Sequence, residues 1–292
     1  MRSPGRRTTG NASALLLGPV LLLVGCTAGT EAGFDAEGGV GGESTSAAEA
    51  THTAAITVPP AGADFDYQLG GAYDPPAGTE VVVRDATDEP AVGVYSICYV
   101  NGFQTQPGEA DDWDGLILED DGEPVTDPDW PDEYVLDTSS AASREAIAAQ
   151  LEPVIAGCAA HGFQAVEFDN LDSFERSAGA LTLEDNLTLA EILTASAHDH
   201  GLASAQKNTV EATQHGPEGG FDLAITEDCG AWDECAAYQD VYDVVLDVEY
   251  ADADEFAAMC TAGTVPATAI RRDLDLVAAG QDGYVLERCE GS

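Results

Sequence analysis

Short apolar runs recur eight times between residues 65 and 270, and nearly all of them break off into acids or amides. The runs span 65–69, 80–83, 92–100, 165–168, 202–206, 223–226, 244–249 and 265–270. Runs of this length, rich in Val, Ile and Leu and bounded by Gly, Pro and Asp, read as strands buried on both faces. The stretches between them carry helical signals. Residues 139–160 place Ile147, Leu151, Val154 and Ile155 at helical spacing behind a capping Ser140, despite Pro153, and residues 182–200 open on a capping-box pair, Thr182 and Asp185. Strands alternating with helices predict a parallel sheet covered by helices. Eight of them in about 230 residues favour a closed (β/α)8 TIM barrel over an open doubly wound sheet.

The barrel predicted at residues 61–292 is preceded by two segments of different character. Residues 1–26 read as a leader: Arg2, Arg6 and Arg7 precede an apolar run that ends in Leu23-Val24-Gly25-Cys26. That run is shorter than the ~20 apolar residues a membrane-spanning helix needs. Its terminal Cys behind a small residue resembles a bacterial lipobox, so Cys26 is the expected lipidation site and the chain is expected outside the cytoplasm, anchored to the cell membrane, with plain secretion as the alternative. Residues 27–60, rich in Gly, Ala, Thr, Ser and Glu and closed by Pro59-Pro60, read as a flexible tether.

Export implies an oxidising compartment, and with Cys26 set aside the remaining cysteines form an even set: Cys98, Cys158, Cys229, Cys235, Cys260 and Cys289. Spacing favours a Cys229–Cys235 loop and then Cys260 with Cys289, which leaves Cys98 with Cys158. No C-x-x-C occurs and the histidines do not fall at ligand spacing, so neither a metal nor a cofactor is expected. With 54 Asp+Glu against 10 Lys+Arg the formal net charge is −44, which repels nucleic acid and favours a cationic partner. Saline adaptation accounts for the same composition equally well.

In a TIM barrel the chemistry sits at the carboxyl ends of the strands. The fourth run continues Glu167-Phe168-Asp169-Asn170-Leu171-Asp172, and residues two apart share a face, so Glu167 and Asp169 should both point into the mouth and push their pKa values apart. The fifth ends in Lys207-Asn208, and Lys207 is the only lysine in the chain. At a strand end it would hold a neighbouring carboxylate ionised or bind a sugar hydroxyl. The sixth ends in Glu227 and the seventh in Glu249-Tyr250. Two carboxylates across a cleft, here Asp169 and Glu227, meet the requirement for glycosidic cleavage, in which one protonates the leaving oxygen and the other attacks the anomeric carbon or activates water. Tyr67, Tyr99, Trp113, Trp130 and Tyr250 are available to stack on sugar rings. The acidic stretches at 111–115 and 119–122 lack calcium-loop spacing.

At these residues the sequence resembles glycoside hydrolase family 114, whose founding activity is endo-α-1,4-polygalactosaminidase. The matching stretches include Tyr67-Gln68-Leu69, Cys98-Tyr99-Val100, Val135-Leu136-Asp137, Val166 through Asp172, Lys207-Asn208, Phe221-Asp222, Glu227-Asp228-Cys229 with Cys235, and Val248-Glu249-Tyr250. The resemblance implies a TIM barrel, a galactosamine-containing polysaccharide as substrate, and catalytic carboxylates at Asp169 and Glu227. Tyr67 stands where the family usually has Trp, Phe168 where it has Pro, and Gln206 where it has Leu, and these departures bear on substrate preference. The expectation is retaining hydrolysis by a monomer, with Asp169 as nucleophile and Glu227 as acid/base. Glu167, Asn170, Asp172, Lys207, Asn208, Tyr99, Glu249 and Tyr250 are the expected substrate-binding and positioning residues. The alternatives are hydrolysis assisted by a substrate N-acetyl group and a surface lipoprotein that binds glycans without cutting them.

Overall fold

The computed structural model describes residues 56–289, so the leader, Cys26 and residues 27–55 of the tether lie outside the described residues. From residue 56 the chain is held to the folded domain: Ile56 packs against its inner core, and the Tyr95 hydroxyl donates to the Thr57 carbonyl at 2.6 Å.

The sheet runs β1 (Phe65–Tyr67), β2 (Val81–Asp85), β3 (Tyr95–Asn101), β6 (Ala165–Asp169), β7 (Ala203–Lys207), β8 (Leu223–Glu227), β9 (Val245–Glu249), β10 (Ile270–Arg272) and β11 (Leu286–Arg288), in that order in space. All neighbours are parallel except β10 and β11. The insertion between β3 and β6 carries a small hairpin, β4 (Glu119–Asp120) and β5 (Glu123–Pro124). Among the described residues four α-helices flank the strands: α1 (Ala141–His161), α2 (Leu183–Asp199), α3 (Cys235–Gln239) and α4 (Ala253–Ala262). This is a TIM barrel with helices in half of its connections among the described residues. Seven of the eight expected runs contain a barrel strand. The eighth is corrected: residues 265–269 turn around Pro266, and only Ile270 of that run enters β10. Val92, expected in the third strand, is exposed, and β3 starts at Tyr95.

Both helix starts follow their caps. Ser140 accepts the amide of Ser143 at 3.1 Å, and Thr182 and Asp185 exchange the two bonds of a capping box. Pro153 lies inside α1, which continues to a left-handed Gly162.

Strand alternation divides the core in two. One face of each strand fills the barrel with Phe65, Val83, Ile97, Ala205, Ile225 and Leu246, while the other packs against the helices through residues such as Val100, Val166, Phe168 and Val245. The seam between β1 and β10 is closed by arginines rather than by a backbone ladder. Arg272 donates to the Tyr67 carbonyl and is ion-paired to buried Asp66 at 3.4 Å, and Arg288 donates to the Phe65 carbonyl at 3.0 Å. These bonds satisfy β1 carbonyls that a closed ladder would otherwise have paired. Just above them Gly70 bridges Val277, and a Cβ on Gly70 would meet the Leu276 carbonyl oxygen at 2.2 Å, so the close approach requires glycine.

Among the described residues three disulfides form, Cys98–Cys158, Cys229–Cys235 and Cys260–Cys289, the pairing that spacing favoured. No described helix is long and apolar enough to cross a membrane.

Candidate active site

Inward-facing positions on β6, β7 and β8 end in Glu167 and Asp169, Lys207, and Glu227. The strands pair directly, so these side chains converge at the carboxyl end of the barrel. The Lys207 ammonium, 1% exposed, lies 3.0 Å from Glu167 Oε1, 3.2 Å from Asp169 Oδ1 and 3.2 Å from Glu227 Oε2. Tyrosines complete the cluster. Tyr99 donates to Asp169 Oδ2 at 2.6 Å, Tyr67 donates to Glu167 Oε1 at 2.8 Å and accepts from Lys207, and Tyr250 donates to Glu227 Oε1. Asn208 accepts the Glu227 amide at 2.8 Å and reaches its carboxylate at 3.5 Å.

The turn that follows each of these strands begins with a non-glycine residue at positive φ: Asn170 (65°), Asn208 (47°) and Asp228 (57°). Asn and Asp tolerate the left-handed region better than other side chains, and such conformations cluster where the surrounding structure holds a site in place. The repeated pattern of a charged residue followed by Asn or Asp therefore has a local cause. The strand ends with its functional side chain pointing inward, and the backbone turns out of the barrel immediately afterwards.

The electrostatics separate the two β6 acids. Burial would raise Asp169, but the Lys207 ammonium, the Tyr99 hydroxyl and the Asn170 amide outweigh it and hold the carboxyl below its usual range. Glu167, wholly buried, is pushed up to about 7 by desolvation despite the opposing pull of Lys207. Burial alone would lower Lys207, yet Asp169, Glu167 and Glu227 raise it well above the ordinary lysine value, so it remains a cation. Desolvation, reinforced by neighbouring carboxylates, also raises Tyr67, Tyr99 and Tyr250, which keeps all three hydroxyls as donors.

Other expected residues sit around this centre or away from it. Asn170 donates to Asn101 at 2.9 Å, and Asn101 in turn donates to Glu133 at 3.1 Å. Asp172 pairs at 2.7 Å with Arg176, which also holds Asp127 and Asn170, so it braces the turn after β6 and does not touch the Lys207 cluster. Glu249 is corrected in placement. Leu246 and Val248 occupy the inner face of β9, so Glu249 points the other way, where it accepts the Gly230 amide at 2.6 Å. Tyr67 and Trp113 are too buried to stack on a sugar, and the tyrosines serve the carboxylates through their hydroxyls instead.

Sequence reasoning missed Asn101, Asp127, Arg176 and Glu133. Burial pushes Glu133 up to about 7 against its bond from Asn101, and the charge of Asp169 adds to the rise. A cavity of about 640 Å³ opens beside Tyr99 and Asn101, with Asp85, Glu109 and Asp112 on its walls. Among the described residues, Cys229, Cys235, Asp247 and Glu249 come close enough together to hold a metal ion, but the two sulfurs are joined to each other and are not thiolates.

The family model described as glycoside-hydrolase family GH114 matches residues 45–292. The chain belongs to this family. No curated protein matches it significantly. Among solved structures, the family 114 chain is similar to Aspergillus fumigatus Ega3 in complex with galactosamine, at 20% identity and a TM-score of 0.66, covering 82% of this chain and 100% of that one. It is also similar to the glycoside hydrolase domain of PelA from Pseudomonas aeruginosa, at 16% identity and a TM-score of 0.52, covering 75% and 97%. Both likenesses show the barrel fold. As a member of family 114 the protein is a glycosidase.

Proposed function

We propose that the protein is an endo-acting hydrolase of α-1,4-linked, galactosamine-containing polysaccharide, with Asp169 as nucleophile and Glu227 as general acid/base. The observation that carries this reading is the position of Lys207 Nζ, 3.2 Å from Asp169 Oδ1 and 3.2 Å from Glu227 Oε2. Two oxygens on either side of one atom are separated by no more than twice that distance. That bound on the nearest oxygens is compatible with the roughly 5–5.5 Å between the carboxyl groups of retaining enzymes.

In the first step Asp169, kept anionic by Lys207 and Tyr99, attacks the anomeric carbon while Glu227 delivers a proton to the departing glycosidic oxygen. A glycosyl ester on Asp169 results. In the second step Glu227 takes a proton from water, the water oxygen bonds to the same carbon, and the Asp169 carboxylate leaves. Glu167 stays buried behind Asp169, so a carboxyl pushed up to about 7 adds little negative charge near the nucleophile below that pH.

The substrate class rests on the family, on the galactosamine held by Ega3, and on Glu133, which is bonded to Asn101 and feels the charge of Asp169, a carboxyl suited to an ammonium on the sugar. Release of reducing ends from partly deacetylated α-1,4-galactosaminan, with the first-formed anomer read by NMR, tests the reading. The α anomer is expected. A β product would refute retention, and no cleavage of either the deacetylated or the acetylated polymer would refute the activity.

We further propose that Cys26 carries a lipid anchor and that the enzyme works outside the cytoplasm. Three disulfides support an oxidising compartment. Mass spectrometry of the mature N-terminus should find diacylglyceryl-modified Cys26, and Cys26→Ala should leave the protein off the membrane. Membrane retention of that variant would refute the anchor.

A further inference from the structure

Behind the active site, on the side of β9 that faces away from the cleft, lies a second pair of acids that the hydrolytic steps do not use. Asp247 and Glu249 are both fully buried, and one oxygen of each lies within 4.8 Å of the other. Each spends its remaining oxygen on the segment that carries Glu227. Thr226 Oγ1 donates to Asp247 Oδ1 at 2.8 Å and the Gly230 amide donates to Glu249 Oε1 at 2.6 Å, while the amides of Cys229 and Ala231 also point at the pair. The pair therefore grips residues 226–231 from beneath, on both sides of Glu227.

The grip has something to hold. Asp228 sits in the left-handed region, and its carboxylate accepts the Tyr250 amide at 2.8 Å, so the turn that ends β8 is strained and pinned. The fit is also tight. A Cβ on Gly230 would meet Val265 Cγ1 at 2.4 Å and Glu249 Oε1 at 2.7 Å, and the Cys229–Cys235 disulfide closes the same space.

What the pair lacks is a counter-charge. Asp247 Oδ2 and Glu249 Oε2 are buried without a partner. The titratable groups turned toward them are Asp228 from the loop and Tyr238 from α3, both acids, and α4 brings Phe256 and Met259. Two facing carboxylates in such a place cannot both ionise without heavy cost, and a single proton between the two orphaned oxygens satisfies both. Burial raises both acids above the ordinary range, and the charge of Glu249 adds to the rise at Asp247 and that of Asp228 to the rise at Glu249.

We propose that Asp247 and Glu249 share one proton and act together as positioning residues that fix the loop bearing Glu227. The role rests on Glu227 as the acid/base. The proton itself is tested independently of activity.

An amide can replace the protonated partner. In Glu249→Gln the side-chain oxygen still accepts the Gly230 amide, and its N–H takes the place of the shared proton toward Asp247 Oδ2. Asp247→Asn does the same in reverse. Each single amide variant should keep kcat within about threefold, because no hydrogen bond is lost. Glu249→Ala releases the loop and should lower kcat about 100-fold with KM changed far less, the scale of a 1 Å misplacement. The Asn/Gln double variant sets two N–H groups against each other and should resemble Glu249→Ala.

The second readout is melting temperature against pH. Carboxyls raised in the folded state stabilise it fully below their ordinary values, and that contribution fades as pH rises through the folded values. The unmodified protein should therefore lose melting temperature from pH 5 to pH 9 more steeply than either single amide variant. Single amides as damaging as Glu249→Ala, or melting profiles parallel to the unmodified protein, would overturn the shared proton. An unmodified protein inactive on galactosaminan would count against the hydrolase reading, and the melting comparison would still decide the pair.

Discussion

Replacing Lys207 by Met removes the buried cation that Glu167, Asp169 and Glu227 share and leaves its shape nearly unchanged. At separations of 3.0 to 3.2 Å, and with an effective dielectric of about 20, each ionised carboxylate attracts the ammonium by roughly 5 kcal/mol. Desolvation of the ammonium offsets part of this, and breaking such a buried pair typically costs about 3–5 kcal/mol in total because the carboxylates lose their counter-ion. The sign of the pH dependence is the sharper test. With Lys207 present, Asp169 is lowered in the fold, so its contribution to stability is present above its unfolded pKa and lost as pH falls through the folded one. Without Lys207, burial dominates and the same carboxyl is raised, so stability is lost as pH rises instead. Urea unfolding at several pH values should show the deficit of Lys207→Met growing with pH, by about 1.4 kcal/mol per unit where one carboxyl titrates, with kcat depressed throughout. A deficit that is constant with pH, or below about 1 kcal/mol at pH 8, would refute the assignment of Lys207 as the group that keeps Asp169 ionised.

Three further outcomes are expected. Tyr250→Phe removes a hydrogen bond to a charged group, worth about 1.5–3 kcal/mol, and should lower kcat at least tenfold; an unchanged kcat would place Tyr250 outside the machinery. Glu167→Gln removes a carboxyl raised to about 7, whose stabilising contribution is full below its ordinary value and lost as pH rises through 7, so the variant should melt with a flatter pH dependence between 5 and 8. Steering by the net charge of −44 predicts that the rate at low substrate concentration falls with salt on deacetylated polymer and barely changes on acetylated polymer; equal responses would remove it.

The barrel was legible because eight apolar runs and two capped helices are local signals, and local physics alone produces them. The eighth strand was misplaced because Val265 and Ala269 are buried as loop residues, and periodicity does not distinguish a buried loop from a strand. Asp169, Lys207 and Glu227 were found by reading strand ends. Glu249 was assigned to the cleft because it too ends a strand. The two-residue alternation that places Leu246 and Val248 inside the barrel would have turned it outward, and that signal was available. Asn101 ends β3 in the same way and was within reach of the same rule. Glu133 and Asp127 lie in the insertion between β3 and α1, where neither periodicity nor a motif ties a residue to the cleft, and only the tertiary fold brings them there. The tyrosines were read as stacking platforms because burial is not visible in a sequence, whereas their hydroxyls turn out to serve the carboxylates.

The measurement that tests the central claim most directly is reducing-end release from partly deacetylated α-1,4-galactosaminan by the unmodified protein, Asp169→Asn and Glu227→Gln, each with its folding checked by melting. Cleavage by the unmodified protein that falls by about 10³-fold or more in both folded variants is the predicted result. A folded Asp169→Asn or Glu227→Gln that still cuts at a comparable rate would contradict the assignment of these two carboxylates.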